Sequence, residues 1–236
     1  MLEVNNLHVY YGQFEALNGL SFKVKENEIV VLAGPNGHGK STALSAIAGL
    51  ADIRKGEIKF QGQRIEKKST VEIVKMGITL VPEGAHLFPD MTVIENLMMG
   101  AYNPSAWEKR YENLQKVLDL YPNLKDIQNR LCGKLSGGER QCVAVGRGLM
   151  SSAQLIMLDE PTLGLAPLLA QNLSKKIKEI KDSGMTIILV EENINYVSEL
   201  ADRIYLINKG KVMLEGETSK VLQDSYFKEA YLGVKK

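Results

Sequence analysis

The residue types most able to do chemistry lie in two short stretches. The first runs from Ile29 to Thr42 and reads IVVLAGPNGHGKST. Gly34, Pro35, Asn36, Gly37, His38, Gly39, Lys40 and Ser41 fit the GxxxxGK[ST] phosphate loop without a mismatch. Glycines let the backbone curl so that several N–H groups point at one anion. A helix opening near Lys40 adds its unpaired N-terminal donors. Lys40 can reach terminal phosphates, and the Ser41 hydroxyl can complete a magnesium shell. The second stretch, Leu155-Ile156-Met157-Leu158, is apolar and ends in Asp159-Glu160. A carboxylate at the tip of a buried strand stands where ligands collect in doubly wound sheets. Asp159 can hold magnesium directly or through water. Glu160 can polarise a water for in-line attack on a terminal phosphate. Two adjacent acids at the end of a dry strand are costly unless a cation meets them, which argues against a solvated turn.

Both stretches require a layered α/β frame. Ile29 to Ala33 reads as a buried strand, and Ala43, Leu44 and Ile47 carry the helical pattern that follows. Leu2 to Val24 reads as short strands with a turn at Asn18-Gly19. Gly49 marks a helix stop, and Gly56 to Phe60 alternates towards a turn at Gln61-Gly62. Ile78–Val81, Thr186–Val190 and Ile204–Ile207 are further strands, and Asn208 to Lys211 is a tight turn into Val212-Met213-Leu214. Pro167 starts a helix that ends near Ser183-Gly184, and the segment from Thr218 to Leu232 is weakly helical with a stop at Gly233. From about Pro89 to Met150 the pattern is helical with no convincing strand. Thr92-Val93-Ile94-Glu95 and Ser105-Ala106-Trp107-Glu108 both spell capping boxes there. This alternation predicts an open α/β sheet.

Composition narrows the class. The 236 residues permit one large domain. Lys and Arg total 29 against 28 Asp and Glu, so the charge gives no nucleic-acid footprint. Two cysteines, Cys132 and Cys142, are too few to staple such a chain and fit a reducing compartment. No basic start precedes an apolar core, so no signal peptide is expected, and apolar runs fall short of membrane-spanning length. His8, His38 and His86 have no metal-ligand spacing.

A third motif, Leu135-Ser136-Gly137-Gly138-Glu139, is a helix cap that also exposes backbone donors. Beside a phosphate loop it is a second place for an anion. Tyr10 and Tyr11 precede Gly12. Either ring could stack on a base, but on residue type alone a half-buried strand tyrosine is the plainer reading.

Together the motifs resemble the ATP-binding subunits of ABC transporters along nearly the whole chain. The phosphate loop at Gly34–Thr42, the signature-like Leu135–Glu139, the acidic strand end at Leu155–Glu160 and the loop Pro161–Leu165 occur in that family's order. Val81-Pro82-Glu83-Gly84, Phe88-Pro89 with Thr92-Val93, Gly164-Leu165-Ala166-Pro167 and the ending Ala230-Tyr231-Leu232-Gly233 look like the branched-chain amino-acid importer ATPases.

The resemblance implies a P-loop NTPase core of ABC ATPase type with an antiparallel β subdomain and an inserted helical lobe. One ATP-binding domain would span 1–236, with its core at 1–88 and 151–236 and its lobe at 89–150. It implies ATP and Mg2+ as cofactors, bound by residues 34–42 of one subunit and by Ser136, Gly137, Gly138 and Glu139 of another. The subunits would form a head-to-tail homodimer, or a heterodimer with a homologous ATPase. Tyr11 takes the adenine-stacking position. Ser41, Glu83 and Asp159 would meet magnesium, and Glu160, Lys40, Glu83 and Glu192 would serve catalysis. Partners would be transmembrane permease subunits, with indirect coupling to an extracytoplasmic solute-binding protein and no nucleic acid. The site of action would be the cytoplasmic face of the inner or plasma membrane, and the cargo branched-chain or other hydrophobic amino acids. Lipopolysaccharide export or another ABC system, and a low-turnover regulatory ABC protein, are the alternatives.

Two positions depart from the family pattern. Glu192 stands where many relatives carry a histidine that contacts the γ-phosphate, and the related importer ATPases often carry glutamine there. A carboxylate would be repelled by phosphate unless protonated or turned away. His38 replaces a usually small residue, with its backbone N–H still able to cradle phosphate and its side chain expected to face outward.

Overall fold

The computed structural model describes residues 1–232, with side chains to 228; the expected helix stop at Gly233 lies outside the described residues. The chain opens with two long paired strands, β1 (Leu2–Tyr11) and β2 (Phe14–Val24), then β3 (Ile29–Ala33) and helix α1 (Lys40–Ile47). β4 (Ile53–Phe60), β5 (Gln63–Arg64), α2 (Thr70–Lys75) and β6 (Ile78–Val81) follow. Helices then dominate: α3 (Val93–Met99), α4 (Pro104–Glu108), α5 (Arg110–Leu120), α6 (Asn123–Asp126), a 3-10 turn at Cys132–Lys134 and α7 (Gly137–Leu149). The last third carries β7 (Leu155–Asp159), α8 (Pro167–Asp182), β8 (Thr186–Val190), α9 (Ile194–Leu200), β9 (Arg203–Asn208), β10 (Lys211–Glu217), α10 (Thr218–Val221) and α11 (Ser225–Leu232).

Two sheets result. The first is antiparallel in the order β2-β1-β4-β5. The second runs β10-β9-β3-β8-β7-β6, parallel throughout except for the β9–β10 hairpin. Every residue of β3, β7 and β8 is buried, as expected of strands covered on both faces. Their side chains divide by alternation. Val30, Leu32, Met157 and Ile188 pack with Leu44 and Ile47 of α1 and with Leu2, Val4 and Phe60 of the antiparallel sheet. Val31, Leu158 and Leu189 face the opposite way and share one core with Val93, Leu97, Val117, Val145 and Ile177. The helices between β6 and β7 are therefore fastened to the parallel sheet by apolar contact.

Two local expectations are corrected. Asn18-Gly19 is not a turn but lies inside β2. Leu7 pairs with Leu20 and His8 with Asn18, leaving Gly19 as the extra residue of a bulge, at φ +77. The hairpin reverses instead at Gly12-Gln13, where Gly12 has φ +62. Ser105 does not cap a helix. Asn103 does, accepting the Ala106 N–H at 2.8 Å, with Pro104 in the first turn. The boxes at Thr92–Glu95 and Ser136–Glu139 form as spelled. A further one, Ser69–Glu72, opens α2.

α3 ends against α7 with no room to spare. A Cβ on Gly100 would lie 2.0 Å from the Arg147 carbonyl oxygen and 2.8 Å from the Met150 Cβ. Gly100→Ala is expected to destabilise the protein by about 1–3 kcal/mol through this overpacking. A lowered urea midpoint with an unchanged slope would show it.

Candidate active site

The phosphate loop leaves β3 at Gly34 and enters α1 at Lys40. Its glycines are dictated by geometry at both ends. Gly34 has φ +145, and a Cβ there would sit 2.1 Å from the Ile207 carbonyl oxygen. Gly39, the residue before α1, has φ +101, and its Cβ would meet the Ala16 oxygen at 2.8 Å. No side chain caps α1, so its first N–H groups remain available to an anion. The His38 side chain takes no part in this concavity. It turns back to the β9–β10 turn, where its Nδ1 accepts the Lys209 N–H at 3.4 Å and its carbonyl accepts the Gly210 N–H at 3.0 Å. It is half-buried there, where an outward-facing side chain was expected.

The Lys40 side chain is only 3% exposed. Its ammonium donates to the Gly34 oxygen at 2.8 Å, the Pro35 oxygen at 3.0 Å and Glu192 Oε1 at 3.1 Å. Asn36 donates to the other oxygen of Glu192 at 3.0 Å. Ser41 Oγ donates to Asp159 Oδ1 at 3.0 Å. Helix α1 and strand β7 thus bring together a hydroxyl and a carboxylate, the oxygen donors a hard cation takes. Burial raises the Asp159 carboxyl above its ordinary range, and the Ser41 hydrogen bond pulls it part of the way back.

Glu160 follows with a left-handed backbone, φ +45, and its N–H bonded to the Val190 oxygen at 3.0 Å. Burial pushes its carboxyl up to about 6, and the nearby Glu192 charge adds to the rise. Glu83, exposed after β6, is near enough that its charge also raises Asp159 and Glu160. Tyr11, 53% exposed, lines one cleft with Asn36, Gly37, Lys40, Ser41, Thr42 and Glu160.

Ser136, Gly137, Gly138 and Glu139 lie elsewhere. Glu139 accepts the Ser136 N–H at 2.7 Å and Ser136 Oγ accepts the Glu139 N–H at 3.3 Å, which opens α7 with an exposed end. Among the described residues no hydrogen bond or ion pair joins this end to the phosphate loop, and Ser136 lines a different cleft, with Tyr121 and Leu165.

Two features escaped the sequence reading. Phe14, 65% exposed, is the direct cross-strand partner of Tyr11 and lines the same cleft. The two-residue spacing across Gly12-Gln13 would have revealed it had the turn been placed there. Glu191 is buried and accepts the Thr162 hydroxyl at 2.6 Å and the N–H groups of Glu192 and Asn193, both at 3.0 Å. It locks the segment after β8 onto the loop after β7.

Comparison with known proteins decides the family. Residues 17–163 match the model of the family described as ABC transporter. The chain belongs to the ABC transporter family. It is 38% identical over 233 residues to the high-affinity branched-chain amino acid transport ATP-binding protein BraG of Pseudomonas aeruginosa, covering 99% of this chain and all of that one. Among solved structures, a nucleotide-free ATP-binding cassette from an ABC transporter superposes with TM-score 0.87 at 30% identity, covering 100% of this chain and 99% of that one. The cassette MJ0796, solved as a dimer in a post-hydrolysis state bound to ADP and Pi, superposes with TM-score 0.78 at 27% identity, over 92% and 99% of the two chains. The chain is an ATP-hydrolysing ABC transporter subunit coupled to a membrane permease, and its fold implies binding of ATP with magnesium. Among the described residues no helix is long and apolar enough to cross a membrane. The donor set fits the ABC cofactors: a glycine-shaped anion cradle, a buried ammonium, and a Ser–Asp pair for a cation that keeps most of its shell from water and phosphate.

Removing the Thr162 hydroxyl tests the lock at the edge of this site. Thr162→Val would leave the buried Glu191 carboxylate short of a donor, and a loss of about 1.5–3 kcal/mol is expected in denaturant unfolding.

Proposed function

We propose that this subunit hydrolyses ATP to ADP and phosphate to drive uptake of branched-chain or other hydrophobic amino acids, from the cytoplasmic face of the membrane. The cargo rests on likeness to the BraG protein and on the Val81–Gly84 and Gly164–Pro167 spellings. An extracytoplasmic solute-binding protein would deliver it.

In this reading adenine stacks on Tyr11, with Phe14 extending the aromatic wall. The backbone N–H groups of the loop, Pro35 excepted, and the Lys40 ammonium hold the phosphates. Ser41 and Asp159 hold magnesium, whose charge offsets that developing on the phosphoryl oxygens, with Glu83 as an outer contact. Glu160 accepts a proton from the attacking water. The observation that carries the reading is that Lys40, Ser41, Glu160 and Tyr11 line one cleft, with Asp159 held to Ser41 at 3.0 Å, while the exposed Ser136–Gly138 helix end lies on a different cleft. A head-to-tail pair would let each copy's Ser136–Gly138 donors close over the other copy's phosphates and exclude water.

Coupling to the permease would run through the helices between β6 and β7. Arg147 of α7 donates to the Ala85 oxygen at 3.1 Å and the His86 oxygen at 2.9 Å, which ties the loop carrying Glu83 to those helices. Beside it lies a groove of about 730 Å3 edged by exposed Leu50, Phe88, Met99 and Tyr102, apolar enough for a permease helix. Met99→Arg is expected to abolish transport in the assembled complex while the isolated subunit keeps its ATPase rate. Unchanged transport would place the permease elsewhere.

Glu160→Gln is the direct test of the enzyme. Turnover should fall by at least a hundredfold, with an ATP-bound dimer accumulating on gel filtration; retained turnover would remove Glu160 as the base. In the unsubstituted protein the base form is lost as pH falls through about 6, the value to which burial and Glu192 lift Glu160, so the rate should drop below that pH.

A further inference from the structure

Glu192 is bound as an anion ligand of the phosphate loop. Each carboxylate oxygen takes a donor from that loop, Oε1 from the Lys40 ammonium at 3.1 Å and Oε2 from the Asn36 amide at 3.0 Å. This is the pattern an oxyanion of a phosphate would take, one oxygen on the point charge and one on a neutral donor. Its neighbour Glu191 is locked by Thr162 and by two backbone N–H groups, so the segment that presents Glu192 is held at its root. Glu192 itself is about one-third exposed and is not packed in place.

We propose that Glu192 is an internal counter-anion that occupies the terminal-phosphate position on Lys40, must withdraw before ATP can bind, and so sets how strongly the site prefers ATP over ADP. This rests on the reading of the Lys40 loop as the ATP site.

The charges make withdrawal compulsory. Lys40 is the one cationic side chain that hydrogen-bonds in this cluster among the described residues, and Glu192, Glu160, Glu83 and Asp159 all act on the same cleft. A γ-phosphate placed on Lys40 would lie within a few ångströms of the Glu192 carboxylate, where like charges repel strongly even at an effective dielectric of about 20. The triphosphate therefore binds only the fraction of molecules in which the Lys40–Glu192 pair is open, and its apparent affinity falls by that fraction. ADP lacks the group that collides and is handicapped less. While the site waits for nucleotide, the pair keeps a buried ammonium satisfied and closes the cradle to stray anions.

The test is calorimetric titration of the full-length chain with ADP and with the non-hydrolysable analogue AMP-PNP, each with magnesium. Glu192→Gln keeps the shape and an oxygen for Asn36 while removing the charge. It should bind AMP-PNP at least fivefold more tightly than the unsubstituted chain, with the AMP-PNP-to-ADP preference rising at least threefold. Glu192→Ser, which removes the carboxylate in a different shape, should move both numbers in the same direction. AMP-PNP affinity that is unchanged or weaker in both variants overturns the proposal, because Glu192 then does not compete with the terminal phosphate. A protein that binds neither nucleotide, with or without Glu192, overturns the nucleotide-site reading itself.

Discussion

A buried ammonium group must be met by acceptors, and the site is arranged around that requirement. Lys40 reaches back along its own loop to the Gly34 and Pro35 carbonyls, and Gly34 packs so close to Ile207 that no Cβ would fit there. Two neutral carbonyls do not balance a full charge in a dry site. The third acceptor is an anion, supplied by Glu192 in the structure and, in the proposed reaction, by the nucleotide. Two further carboxylates, Asp159 and Glu160, feel the same cation, and Glu83 stands near both of them. Burial, helped by the neighbouring charges of Glu192, Glu83 and Asp159, lifts Glu160 to about 6, near the working pH of a general base.

The parallel sheet is the rigid part of this arrangement. β3 presents the loop and β7 presents Asp159 and Glu160, with β8 between them presenting Glu191 and Glu192. Buried on both faces, these strands hold the three loops at their tips in fixed relation. The helices between β6 and β7 share one core with that sheet, yet they carry the Ser136 helix end away from the cleft. The phosphate loop and that helix end lie on different clefts of the same chain, and the proposed head-to-tail pair would bring them together. Arg147 connects the helix that opens at Ser136 to the loop that bears Glu83, so a change at the cleft has a physical route to the groove proposed for the permease.

Much of this was legible in the chain because it is local. The phosphate loop, the acidic strand end and the caps at Thr92 and Ser136 are set by residues within a few positions of one another. Long-range contact decided the rest. Asn18-Gly19 spells a turn, but pairing of β2 with β1 absorbs Gly19 as a bulge. Ser105 spells a cap, but Asn103 reaches the Ala106 N–H first and also donates to the Ser151 oxygen at 3.1 Å. Phe14 became visible beside Tyr11 only with the register in hand. Glu192 was expected among the catalytic residues, with its carboxylate repelled by phosphate unless protonated or turned away. Its hydrogen bonds to Lys40 and Asn36, more than 150 positions away in the chain, could not be read from VEEN.

In the proposed reaction one chain holds two half-sites and catalysis needs two chains. Specific ATPase activity measured across a dilution series, with light scattering on the same samples, tests it most directly. Activity per subunit should rise with protein concentration and level off as dimers saturate. Activity per subunit that stays constant in samples shown to be monomeric would contradict it.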